Sequence, residues 1–152
     1  MYDSEGLKIL TERECRELLG SVPLGRIVYT DRALPAVQPV NFVMAGGEVV
    51  ILTSAGSKLA AAARNAVVAF EIDQFDHEIT TGWSVVIIGH ARVIAEDGEI
   101  SRLRDLPLRP WTAGEPAHYI AITPELISGR RLPTPKKQAQ TQKTKNQEPK
   151  EA

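Results

Sequence analysis

The amino-acid sequence predicts a mainly β protein, an antiparallel sheet closed into a barrel with a few short helices. Three observations predict it. The middle of the chain carries five runs rich in Val, Ile, Phe and Tyr, each bounded by turn residues. The runs follow one another through tight connections, which favours antiparallel neighbours. Too few polar positions alternate along them for an open sheet with one wet face, so closure into a barrel is favoured. At 152 residues, 43% hydrophobic and 24% charged, the chain suits one globular domain with a core of its own.

Taken in order, residues 1–8 show no periodicity and read as a flexible N-terminus. The stretch "LTERECRELLGSVPLG" reads as a short helix. Thr11 and Glu14 form a capping-box pattern, each side chain placed to satisfy the other's free backbone N–H. Cys15, Leu18, Leu19 and Val22 fall at helical spacing, and Gly20 and Pro23 end the helix. The period then changes. "GRIVYTD", "LPAVQPVNFVMAG", "EVVILTS", "VVAFEID" and "WSVVIIGHARVIAE" read as strands, with turns at Asp31–Arg32, at Gly46–Gly47 and over residues 73–82. "EDGEISRLRDL" predicts a second helix near residues 97–106, and "HYIAITPELISGRRL" one or two final strands. From Pro133 the sequence contains no Leu, Ile, Val or aromatic residue, too little apolar surface to offset the entropy of ordering. The expected division is therefore a flexible 1–8, a folded 9–132 and a disordered Lys/Gln-rich tail, 133–152.

The formal net charge is -1. Lysines 136, 137, 143, 145 and 150 against Glu148 and Glu151 give the tail +3, which leaves -4 on residues 1–132. A mildly acidic body argues against nucleic-acid binding. The single cysteine, Cys15, permits no internal disulfide and reads as a buried thiol. The start "MYDSEGLKIL" lacks the basic and apolar regions of a signal peptide, and no apolar run approaches the roughly 18–20 residues of a membrane span. A cytoplasmic protein without a membrane partner is expected. His77, His90 and His118 have no metal-ligand spacing, so no metal site is expected. Asp73, Asp76, His77 and Glu78 read as a solvated loop.

The stretch with chemical content is "ILTSAGSKLAAAARN", residues 51–65. A strand ends in Thr53 and Ser54, a turn follows, and Ser57 and Lys58 open a helix expected to reach Arg64. Two readings fit these residues. Ser57 caps the helix and Lys58 is an ordinary surface charge; or the hydroxyls of Thr53, Ser54 and Ser57, the Lys58 ammonium and the free N–H groups of the helix start hold an anion. No Walker loop and no G-x-G-x-x-G is present.

The order of motifs resembles the flavin-binding split-barrel family typified by pyridoxamine 5'-phosphate oxidase. In that family a strand ends in Thr, and four residues on comes Ser with a basic residue at a helix start, as in Thr53, Ser57 and Lys58. A short helix then leads to Asn, here Asn65, and into a strand. Upstream, "QPVNFV" (38–43) resembles the strand whose backbone edges the isoalloxazine ring. Downstream, "WSVVIIGHARVI" (83–94) resembles the strand that passes the flavin, with Trp83, Ser84 and Gly89 in the expected places, and "GRIVYT" fits the first barrel strand. The resemblance covers residues 7–132. The sequence departs from the oxidase proper, whose phosphate-binding Arg and a nearby Lys correspond to Gln38 and Val43. Arg26, Arg64 and Arg92 are candidates for the missing cation. The oxidase's substrate-phosphate residues have no visible counterpart, which argues against oxidation of pyridoxamine phosphate itself.

The resemblance implies a homodimeric antiparallel split β-barrel with FMN at the subunit interface. It implies a phosphate at Thr53, Ser54, Ser57 and Lys58, and a ring edged by Pro39, Val40 and Asn41, with Gln38 at its polar side. Ser84 passes the flavin, and Trp83 or Trp111 stacks on it or walls its pocket; both tryptophans also suit plain core or interface positions. A flavin-dependent oxidoreductase acting on a small molecule follows. The alternatives are a flavin carrier or sensor without turnover, and a deazaflavin-dependent reductase. The deazaflavin carries a longer acidic tail, and the acidic body favours FMN.

Overall fold

Two turns fix the order of the sheet. In the computed structural model, which describes residues 1–110 and 114–133, the elements run β1 (Lys8–Ile9), α1 (Glu12–Leu19), β2 (Leu24–Asp31), β3 (Leu34–Ala45), β4 (Glu48–Ser54), α2 (Leu59–Ala62), β5 (Val67–Phe75), β6 (Gly82–Val93), α3 (Asp97–Leu103), β7 (Pro116–Ile122) and β8 (Leu126–Arg131). Arg32 and Ala33 join β2 to β3, and Gly46 and Gly47 join β3 to β4, all four with positive φ. Two-residue loops of that conformation twist with the strands they connect, and glycine adopts it without strain.

The strands form an antiparallel ring in the order β6-β5-β2-β3-β4-β7, closed by pairing of β7 with β6, with β8 and then β1 added at β6. Closure depends on β6 changing partners. Its first half, Trp83 to Ile88, pairs with β8, and Ala91 to Val93 pair with β7. The handover falls at Gly89, where a Cβ would lie 1.7 Å from the Thr123 carbonyl oxygen, so only glycine fits. The sequence-predicted split barrel is the fold observed.

Inward-facing Ile27, Val40, Phe42, Ile51, Phe70, Ile72, Val85, Ile87 and Ile120 fill the ring, with Phe42 and Phe70 edge to face at 4.8 Å. The capping box of α1 is present, and Cys15 and Leu19 bury its apolar stripe against β8. Burial raises the Cys15 thiol above its ordinary pKa, which suits an inert core residue. A second apolar cluster, Val50, Ala121, Ile94 and Leu103, lies under α3. Arg92 pins α3 there. Its Nη2 reaches Glu48 Oε1 at 2.9 Å and Glu99 Oε1 at 2.6 Å.

Three elements differ from the sequence expectation. The opening residues are tied down: β1 pairs with β8, and Asp3 bonds Arg130 Nε at 3.0 Å. A two-residue strand has no periodicity to read. The second and third helices are shorter than their sequence windows. The expected tail, apart from Pro133, lies outside the described residues.

The outer face of the sheet carries one apolar row across five strands. Register sets Val37 beside Val28, Val28 beside Ala69, Ala69 beside Ile88 and Ile88 beside Leu126. Val37 is 64%, Ile88 39% and Leu126 65% exposed. Two residues along, at the next outward positions, lies a charged knot. Arg26 Nη1 is 3.2 Å from Glu71 and 3.1 Å from Asp73. Partial burial, with the hydrogen bond and charge of Asp73, pushes Glu71 up to about 7 against the pull of Arg26.

Glu71 therefore keeps its proton in the native state up to about pH 7, whereas the unfolded chain releases it near 4.5. The native state binds more protons between these values, so this group's contribution to stability falls as pH rises through that window. Urea midpoints from pH 4.5 to 7.5 should show Glu71→Gln gaining on the wild type as pH rises. Parallel curves would contradict the assignment.

Candidate functional site

The ring opens between β3 and β4, just ahead of Pro39. Phe42 N–H donates to Pro23 O on the β2 side at 3.2 Å. Peptide groups alternate sides along a strand, so those of Pro39 and Asn41 face β4. Pro39 has no N–H to give there. Pairing of β3 with β4 runs from Ala45–Glu48 to Phe42–Ile51 and stops ahead of this proline. Continued, it would have set Val40 against Thr53 and Pro39 against Ser54. Instead β3 continues on β2, and Leu52 to Ser54 continue on β7 alone.

Two of the sequence-predicted groups, residues 38–41 and 53–58, lie beyond this parting, one along β3 and the other from the end of β4. The Asn41 carboxamide is committed to the fold: Nδ2 donates to Pro23 O at 3.1 Å, and Oδ1 accepts from Arg109 N–H at 3.4 Å. Beyond the ladder, the Asn41 N–H and the Pro39 carbonyl face the β4 side by the same alternation. Val40 is buried, and its peptide groups face β2 by the same alternation. Gln38 is half-buried and shares Val40's face of β3.

At the end of β4, Thr53 is 4% exposed, and its hydroxyl donates to His118 O at 3.2 Å. It ties β4 to β7. Ser54 is buried beside Gly114, and Ala55 N–H donates to Glu115 O. Ser57 Oγ accepts from Leu59 N–H at 3.2 Å, a cap that leaves its own proton to donate. Lys58 is exposed and makes no ion pair among the described residues. The helix that follows is one turn, Leu59 to Ala62. Its macrodipole is correspondingly small, so the Lys58 ammonium and the Ser57 hydroxyl are the polar groups on offer.

Of the three arginines the sequence put forward, Arg26 and Arg92 each hold two carboxyl groups, and Arg64 holds none among the described residues. Arg64 opens instead on a cavity of about 550 Å³ beside the end of β4, shared with Arg104 and His118. Sequence reading passed over Arg104 and considered His118 only as a metal ligand. They lie on separate elements: the β4–β7 register places His118, and the packing of α3 places Arg104 at its C-terminal end. A second hollow, also about 550 Å³, lies next to Asn41 and is walled by Val22, Pro23, Val43, Met44 and Pro107.

Trp83 and Ser84 are not brought to this place within one protomer. They begin β6, whereas the Thr53–His118 pair lies beyond its far end, where Val93 meets Ile120. Ten residues of strand, about 33 Å if straight, separate Trp83 from Val93. Trp83 is 6% exposed, part of the main core. Ser84 is half-buried on the outer face, paired in register with Arg130. Trp111 lies outside the described residues.

Comparison with known proteins agrees with this architecture. Residues 11–131 match the family model described as pyridoxamine 5'-phosphate oxidase. The uncharacterized protein Rv0080 of Mycobacterium tuberculosis is 38% identical over 128 residues, 81% of this chain and 84% of that one. The solved FAD binding protein from Mycobacterium smegmatis is 38% identical with a TM-score of 0.68, over 82% of this chain and 96% of that one. A conserved protein of unknown function from Corynebacterium diphtheriae, DIP1874, is 30% identical with a TM-score of 0.69, over 84% of this chain and 98% of that one. The chain belongs to the pyridoxamine 5'-phosphate oxidase-like family of split-barrel proteins.

Proposed function

We propose that this protein binds a flavin by its 5'-phosphate at the β4–α2 turn and exchanges electrons between that flavin and a small molecule. The observation that carries the proposal is the parting of β3 from β4, followed in the turn after β4 by a lysine with no ion pair among the described residues. An open strand edge offers peptide hydrogen bonds to a flat polar ring, and Lys58 and Ser57 offer a charge and a donor to one phosphate. The donor set suits FMN, which has a single phosphate, and the FMN half of a larger flavin equally. The Mycobacterium smegmatis protein described as FAD binding supports a flavin ligand for this chain. The flavin would supply the redox chemistry; the protein supplies binding, orientation and electrostatics. A deazaflavin-dependent reductase is the second reading.

The proposed assembly is a homodimer built on the outer apolar row. A row of this kind, spanning five strands, marks an interaction surface. A second copy is also what would bring Ser84 and the Trp83 end of β6 to a flavin held between subunits.

Two outcomes are expected. In fluorescence titrations Lys58→Ala should weaken FMN binding by about 1.5–3 kcal/mol, while NADPH or NADH bleaches the visible band of the FMN-loaded wild type. Unchanged affinity returns the turn to plain helix capping, and binding without bleaching points to a carrier. In light scattering the wild type should show the dimer mass and Leu126→Lys a smaller mean mass. A variant that stays fully dimeric would place the interface elsewhere.

A further inference from the structure

We infer that the cavity holding Arg64 and Arg104 is a second anion subsite, which takes a negatively charged group of the flavin beyond its first phosphate. The inference rests on the flavin reading above. It starts from an imbalance of charge. Arg64 and Arg104 line one cavity of about 550 Å³ with His118, and no carboxylate lines it among the described residues. Neither guanidinium has an ion-pair partner there, whereas Arg26 and Arg92 hold two carboxyl groups each. Two like charges facing one hollow repel each other, and an anion between them removes that cost. The remaining walls are largely apolar, with Val93, Ile94, Ile100 and Tyr119. Such a hollow suits an extended ligand that carries both charge and carbon surface.

The cavity adjoins the first phosphate's place. Leu52 and His118 line it; one precedes Thr53 in β4, and the other pairs with Thr53 in β7. Arg64 follows Lys58 by six residues through α2 and its closing turn, a rise of about 9 Å at helical spacing. FMN ends at its one phosphate and leaves this space unfilled. Two ligands of the same chemistry extend into it, FAD with its second phosphate and a deazaflavin with its acidic tail.

The test compares dissociation constants of FMN, FAD and the deazaflavin cofactor for the full chain and for Arg64→Gln, Arg104→Gln and the double variant. Both side chains are exposed, so an unchanged melting temperature is the folding control. Arg64→Lys with Arg104→Lys keeps the charge and should hold the affinity within about threefold. In the double Gln variant FAD should weaken at least about tenfold with FMN unchanged. The same loss confined to the deazaflavin would support the subsite and assign it to the acidic tail. Equal loss for FMN and the larger cofactors, or no loss for any, overturns the inference and leaves the flavin reading intact. So does a wild type that takes FMN and neither larger cofactor. A wild type that takes none of the three overturns the flavin reading and this inference with it.

Discussion

A closed ring of strands has no free edge except where two neighbours part, and in this protein β3 and β4 part beyond Phe42 and Ile51, ahead of Pro39, which has no N–H with which to resume the ladder. Everything proposed for the site follows from it. Had β3 and β4 continued their ladder past Phe42 and Ile51, the peptide groups that now lie beyond it would be used up. The ring tolerates the opening because it is secured elsewhere. β6 closes it by serving β8 with one half and β7 with the other, and Gly89 lets the chain after β7 cross at contact distance.

Charge is organised around the same opening. Arg26 over the outer face and Arg92 beneath α3 are each tied to two carboxyl groups. Lys58, Arg64 and Arg104, near the β4–β7 end, are not. The body of the protein carries a net negative charge from its sequence, so these cations are a local exception. A site for an anionic ligand needs such an exception, because unpaired cations in one region favour a bound anion over an empty site.

Much of the fold was legible because it rests on local rules. The strand periods, the Gly46–Gly47 turn and the Thr11–Glu14 capping box each depend on residues within a few positions of one another. The two halves of the site, 38–41 and 53–58, were legible through the motif order. Less legible was anything set by register. The commitment of the Thr53 hydroxyl to His118 follows from β4 meeting β7 at one alignment. The convergence of Arg64 and Arg104 depends on where α3 packs. β1 was invisible because two residues show no period, and α2 ran short because its alanines favour a helix beyond the turn that packing retains.

The account stands most directly on whether the opened edge and the Lys58 turn hold a flavin. The decisive measurement is the visible absorption spectrum of the full-length protein after mixing with FMN and passage through gel filtration. The account predicts flavin bands that elute with the protein in stoichiometric amount. A colourless protein peak, with FMN and equally with FAD or a deazaflavin, would contradict it and leave a split barrel whose β4–α2 turn is only a capped helix.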